Sequence, residues 1–250
     1  MEKWQRDRLD DLERAGYIPA YRQLVMSHTC PFYWYQEDVP IGQSVIHNGT
    51  ATVVDTGCKI LVVTAEHVYR QYLSDRKRFA NLRCQMGGVT VEPEKYLIDM
   101  DEKLDVATFA LPPMLQVATG ATAHSVPSWP PRLMANSELA ILGGYPGSRR
   151  SEREGYLDSD FVTFITRASQ SSETHVAFQL NLAESHWPPG ERIGPSPDLG
   201  GMSGGPVFRL IDTPIERIEL AGFIYQAHTE YEIVRARQAV HVSKSGRLTC

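Results

Sequence analysis

Ser203 stands in the string Gly201-Met202-Ser203-Gly204-Gly205-Pro206, where glycines let the backbone turn sharply and come close to a bound molecule. A hydroxyl in that setting suits attack on a carbonyl. Attack on an amide carbonyl creates an oxyanion, and preorganised backbone N–H groups around it lower the barrier substantially. Gly201 and Ser203 are the expected donors. Taken alone, Ser-Gly-Gly-Pro reads equally well as a plain turn.

Two further residues supply what the hydroxyl lacks. A serine is a poor nucleophile near neutral pH until a neutral imidazole takes its proton. His67, in Thr64-Ala65-Glu66-His67-Val68, follows directly on the apolar run Ile60-Leu61-Val62-Val63, and a buried strand there would hold the ring still. The chain has eight histidines, and a lone histidine at a strand end is more often structural. Asp105, in Leu104-Asp105-Val106-Ala107, opens an apolar strand. Its carboxylate can accept a bond from the second ring nitrogen and stabilise the imidazolium. Asp99, Asp101 and Glu102 lie in the same polar run, which also reads as a solvated loop, but Asp105 alone abuts the strand.

The elements that must position these residues read as β-structure. After Pro40 the chain consists of short runs rich in Val, Ile, Thr and Phe, separated by Gly, Pro, Asn and Asp. Thr52 to Val54 and Lys59 to Thr64 flank Asp55-Thr56-Gly57-Cys58 as a predicted hairpin. A strand over Val106 to Leu111 ends at Pro112-Pro113, and the stretch to Pro131 reads as a connector between two halves. The second half opens with Glu138 to Leu142, continues with a predicted hairpin from Asp160 to Arg167 and Thr174 to Leu182, and reaches Ser203 through a loop from Trp187 to Gly201. Strands follow near Pro206 to Leu210 and Glu219 to Gln226. Two β-rich halves predict two packed barrels, residues 28–120 and 121–250. Residues 1–27 read as a helical extension broken near Gly16 and Pro19, with Trp4, Leu9, Leu12, Tyr17, Tyr21 and Leu24 on an apolar face.

Composition narrows the partners. Lys and Arg number 25 against 30 Asp and Glu, a net charge of −5 without a long block of either sign, so no nucleic acid or membrane surface is expected. The charged start from Met1 to Asp11 is unlike a secretory signal, and no apolar stretch approaches the length of a membrane span. The four cysteines, Cys30, Cys58, Cys84 and Cys250, are far apart. Free thiols in a reducing cytoplasmic setting are the simplest reading. Asn48-Gly49-Thr50 matches a glycosylation triplet, but such triplets often arise by chance.

In the order His67, Asp105, Ser203, the three strings resemble the signatures of the trypsin-like serine peptidases of the chymotrypsin fold, over about Ile41 to Val242. The resemblance implies an all-β protein of two packed six-stranded antiparallel barrels. It also implies peptide-bond hydrolysis through Ser203, His67 and Asp105, with an oxyanion hole at Gly201 and Ser203, a protein or peptide substrate, and no metal or cofactor. Leu220 to Ile224 is similar to the strand that follows the nucleophile, and by the same alignment Pro197, Asp198, Tyr225, Gln226 and Ala227 would line the substrate pocket. Val68 stands where secreted digestive members carry a disulfide cysteine, and Met202 where they carry the aspartate that pairs with a cleaved N-terminus. The chain therefore looks more like the intracellular or prokaryotic members. Two alternatives stay open: a module on this fold that binds peptide without cutting it, and a peptidase active only within an assembly, with a regulatory partner docked through the N-terminal helices.

Overall fold

β-Branched residues favour extended backbone, and the computed structural model is accordingly built mostly of strands; it describes residues 11, 12, 14–39, 45–126, 128–153, 156–180, 198–211 and 217–249. In the first half lie β1 (Thr29–Gln36), β2 (His47–Asp55), β3 (Ile60–Thr64), β4 (Leu82–Met86), β5 (Val89–Val91), β6 (Leu97–Asp101) and β7 (Val106–Phe109). They pair in the order β5-β4-β1-β2-β3-β7-β6, and β8 (His124–Ser125) adds to β2 in parallel. The predicted hairpin is present as β2 and β3, with Thr52 opposite Val63 and Val53 opposite Val62.

The second half contains β9 (Leu139–Gly144), a small hairpin of β10 (Arg150–Arg153) and β11 (Tyr156–Ser159), then β12 (Val162–Ser171), β13 (His175–Gln179), β14 (Pro206–Ile211), β15 (Arg217–His228) and β16 (Ile233–Gln238). Six of these close into a barrel in the order β12-β13-β16-β15-β14-β9. The expectation of two six-stranded barrels is therefore met in the second half, whereas the first half is a curled eight-stranded sheet that stays open among the described residues. At one edge β5 ends after Val91, two residues before Pro93, where the chain turns through a 3₁₀ helix, Pro93–Lys95. A proline has no N–H to extend a ladder.

The period-two alternation of strands sorts their side chains into three cores. Val62, Ala107 and Phe109 face the first half's own core with Phe32, Trp34 and Tyr72. Leu61, Val63 and Val106 point the other way and meet Ile141, Phe208 and Phe223 of the barrel. Leu142, Phe178, Val207 and Ile224 fill the barrel interior. This double burial explains why the run from Leu61 to Thr64 is buried at every position. Each fully buried Val, Leu, Ile or Phe stabilises by roughly 1.5–3 kcal/mol, so the middle core docks the two halves firmly.

Helices depart from the sequence reading in three places. Gly16, at φ 76°, precedes α1 (Tyr17–Ser27), but Pro19 falls in that helix's first turn instead of breaking it, because an N–H there has no helical acceptor to lose. Tyr21 and Val25 of α1 enter the middle core, and Arg22 Nη2 donates to Phe161 O at 2.9 Å. Directly behind β3 runs α2 (Glu66–Arg78), which burying Val68, Tyr69 and Tyr72 fixes against the first sheet. The connector holds a short helix, α3 (Pro113–Ala118), and β8. Among the described residues no helix is long and apolar enough to cross a membrane.

Candidate active site

The first N–H groups of a helix lack acceptors within it, and at α2 one of them is met from outside. Asp105 Oδ1 accepts the His67 backbone N–H at 2.9 Å. The same carboxylate holds the ring, with Nδ1 lying 3.0 Å from Oδ1 and 2.9 Å from Oδ2. A carboxylate only accepts, so Nδ1 carries a proton, and in the neutral tautomer with that proton Nε2 can accept. Asp105 ends the turn between β6 and β7 with φ at 53°. Non-glycine residues seldom enter this left-handed region, Asp and Asn more readily than most.

The neighbouring acids are engaged elsewhere. Asp99 accepts the Met100 and Leu248 N–H groups, both at 3.0 Å. Asp101 accepts the Leu104 N–H at 2.8 Å, and Glu102 pairs with Arg70 at 2.7 Å. Glu66, adjacent to His67, is buried at 2% exposure, and burial pushes its carboxyl up, opposed by Arg70 at 3.5 Å.

Ser203 precedes β14 and shares with His67 and Gly201 a cleft of about 490 Å³, walled on the first half by Trp34, His47 and Gln71. The Ser203 hydroxyl donates to Tyr225 O at a long 3.5 Å, and among the described residues no hydrogen bond joins it to His67. The loop around it is shaped by backbone bonds. Gly200 O accepts the Gly147 N–H at 2.7 Å, and Met202 O accepts the Gly205 N–H at 2.9 Å. In a trans peptide the N–H points opposite to the C=O, so these bonds fix the planes that carry the Gly201 and Ser203 N–H groups. Neither of those N–H groups has an acceptor among the described residues.

Strand β2 braces this loop from the first half. Thr50 N donates to Ser203 O at 2.8 Å, Thr50 Oγ1 to Gly201 O at 2.8 Å, and Thr52 Oγ1 to Gly204 O at 2.8 Å. Asn48 Nδ2 donates to Tyr145 O at 2.9 Å. The approach is close: a side chain at Gly201, whose φ is 101°, would lie 2.0 Å from Asn48 Nδ2, and one at Gly204, with φ of 92°, would lie 1.9 Å from Thr50 O. The Asn48-Gly49-Thr50 triplet thus has a second meaning that the sequence reading missed. The available signal was the pair of threonines in a strand whose positions from Gly49 to Val54 are all buried.

The expected pocket wall divides. Tyr225 lies at a bulge of β15 between Ile224 and Gln226, and its ring sits under the Arg237 guanidinium at 4.8 Å. Gln226 Oε1 accepts Arg235 Nη1 at 3.2 Å, and Ala227 packs on the barrel core. The Asp198 carboxylate caps its own loop by accepting the Gly200 N–H at 2.8 Å. Pro197 lies outside the described residues. Among the described residues there is no cluster of three or more His, Cys, Asp or Glu side chains fit to hold a metal ion. Cys30, Cys58 and Cys84 are free thiols, and burial pushes Cys30 up to about 12.

No protein family and no curated protein matches the chain. Solved structures resemble it at low identity. One comes from a study in which aromatic interactions drive the coupled folding and binding of the intrinsically disordered Sesbania mosaic virus VPg protein; it is 13% identical, covers 87% of this chain and 94% of its own, and has a TM-score of 0.46. A thermostable serine protease from an extremophilic microorganism is likewise 13% identical, with 85% and 91% covered and a TM-score of 0.47.

Proposed function

We propose that the protein is a serine endopeptidase in which Ser203 attacks the scissile carbonyl, His67 takes and returns the proton, and Asp105 holds the imidazole. The observation that carries this reading is the joint geometry of the cleft. A carboxylate-bound imidazole with Nε2 left to accept shares that cleft with a hydroxyl flanked by two N–H groups that have no acceptor among the described residues. Those N–H groups, on Gly201 and Ser203, would receive the oxyanion that forms on attack. The chemistry then runs through an acyl-enzyme: the Ser203 oxygen bonds to the carbonyl carbon, the amine leaves with the proton from His67, and water, deprotonated by the same ring, releases the acid. No metal or cofactor is called for.

In this reading residues 28–120 supply the base and its carboxylate, residues 121–250 supply the nucleophile, and residues 1–27 are an extension whose Tyr21 and Val25 enter the middle core. The open first sheet plays the part of the first barrel of a chymotrypsin-like fold. Tyr225, Gln226 and Ala227 form a wall of the substrate pocket.

The long bond from the Ser203 hydroxyl to Tyr225 O favours one competing state, a cleft that binds peptide with its hydroxyl turned away from the base. Catalytic hydrogen bonds are often long before substrate arrives, and rotation about a single side-chain bond re-aims the hydroxyl. Labelling decides between the two. A fluorophosphonate probe should label the parent protein covalently at Ser203 and leave Ser203→Ala unlabelled at an unchanged unfolding midpoint. Absence of labelling in the parent, or equal labelling of the variant, removes the hydrolytic reading.

A further inference from the structure

Arg237 is a buried cation held by carbonyls. It lies on β16 between Phe223 and His175 of the flanking strands and is 9% exposed. Its Nε donates to Leu104 O at 2.5 Å, Nη2 to Lys103 O at 3.0 Å and Nη1 to Thr174 O at 3.3 Å. Among the described residues no carboxylate pairs with it. Burying a charge without a counter-ion is costly, and an apolar side chain of similar length would fill the space without that cost.

The contacts of Arg237 converge on the candidate site from two directions. Lys103 and Leu104 belong to the turn that ends in Asp105. The Leu104–Asp105 peptide is planar, so a donor on Leu104 O orients the plane from which Asp105 departs at its positive φ of 53°. The other end of that residue is held by Asp101 Oδ1, which accepts the Leu104 N–H at 2.8 Å. On the opposite side the guanidinium covers Tyr225, whose carbonyl receives the Ser203 hydroxyl.

We propose that Arg237 is a positioning residue for this centre. Reaching out of the barrel, it fixes the turn that carries Asp105, and so sets the His67–Asp105 pair of the first half in register with the strand that faces Ser203. The inference rests on the peptidase reading above. It depends on the planar fork of a guanidinium, whose donors span two successive carbonyls; the point charge of a lysine cannot do the same.

The test uses Arg237→Met and Arg237→Lys in the full chain. It reads kcat and KM on a peptide substrate, the unfolding midpoint, and the downfield proton resonance of the His67 Nδ1–H bonded to Asp105. Arg237→Met is expected to lower kcat about a hundredfold with KM little changed, as displacement of a reacting group by about 1 Å does. It should also broaden or shift the Nδ1–H resonance, and Arg237→Lys should recover part of both. Parent-like kcat and resonance in the Met variant would overturn the proposal, as would a fall in kcat that follows a lowered midpoint while the resonance stays in place. Should the Met variant not fold, the Lys variant decides: a folded protein with lowered kcat and a shifted resonance supports the proposal, and parent values in both overturn it. If Ser203 fails to react with the probe, the peptidase reading falls, while the resonance still judges whether Arg237 places Asp105.

Discussion

The two halves of the molecule handle their share of the site differently. The barrel closes on itself in a six-stranded ring, yet its contribution, the loop around Ser203, is braced by bonds from Thr50 and Thr52 of the other half. The first sheet stays open, yet the bond between its two contributions lies within it: His67 meets Asp105 at 2.9 Å, and the barrel reaches the turn before Asp105 through Arg237. Closure of a half and the origin of the contacts that shape its share of the site are therefore separate matters. The His67–Asp105 bond forms within one half, and the Ser203 loop is braced across the junction.

Three substitutions sharpen or break that contrast. The largest effect is expected at the locally built pair. Asp105→Asn keeps a side chain that tolerates positive φ but stabilises the wrong imidazole tautomer, and turnover should fall by about 10⁴-fold with little change in the unfolding midpoint. Steady-state kinetics beside a thermal melt checks this, and normal turnover would detach Asp105 from the reaction.

Gly204→Ala strikes the junction instead. A methyl group there meets Thr50 O at 1.9 Å from a backbone at φ 92°, so strain and overlap together should cost about 4 kcal/mol. A urea melt measures it. A loss of well under half that size would mean that the loop does not depend on β2.

The smallest of the three effects depends on pH. His28 and His124 meet where the halves join, with ring centres 4.7 Å apart and Phe208 of the barrel 4.7 Å from His124. Burial lowers both groups, His124 from 6.5 to about 4, and among the described residues His124 Nε2 is buried without a partner. A histidine depressed in the folded state leaves stability at its full value above the unfolded value of 6.5. Below it the unfolded chain binds the proton first, so stability falls as pH drops and levels off near 4. Every tenfold drop in proton affinity corresponds to about 1.4 kcal/mol, which makes the loss about 3 kcal/mol across that window. His124→Phe should flatten the curve between pH 6.5 and 4 in melts taken at stepped pH. A curve as steep as the parent's would place the acid-sensitive group elsewhere.

Much of the first half was legible because its signals are local. The all-apolar run from Ile60 to Val63 specifies a doubly buried strand, and a histidine just beyond it has few places to go. Asp105 reads as the acid of choice because it abuts β7, while Asp99, Asp101 and Glu102 do not. Helix α2 escaped the reading, since Val68, Tyr69 and Tyr72 belong to residue types common in strands. Only packing against Phe109 and Trp34 selects their helical spacing.

By itself, then, the sequence determined which residue types stand at strand ends and turns, and with them the β-rich halves and the three candidate reactive side chains. The tertiary structure decided that one sheet closes and the other does not. It also decided that Thr50 and Thr52 hold the Ser203 loop and that Arg237 reaches the turn before Asp105. These last contacts join residues more than a hundred positions apart. A hydrogen bond of that range leaves no periodicity or spacing in the chain, because it exists only once the hydrophobic faces of both halves have already brought its partners together.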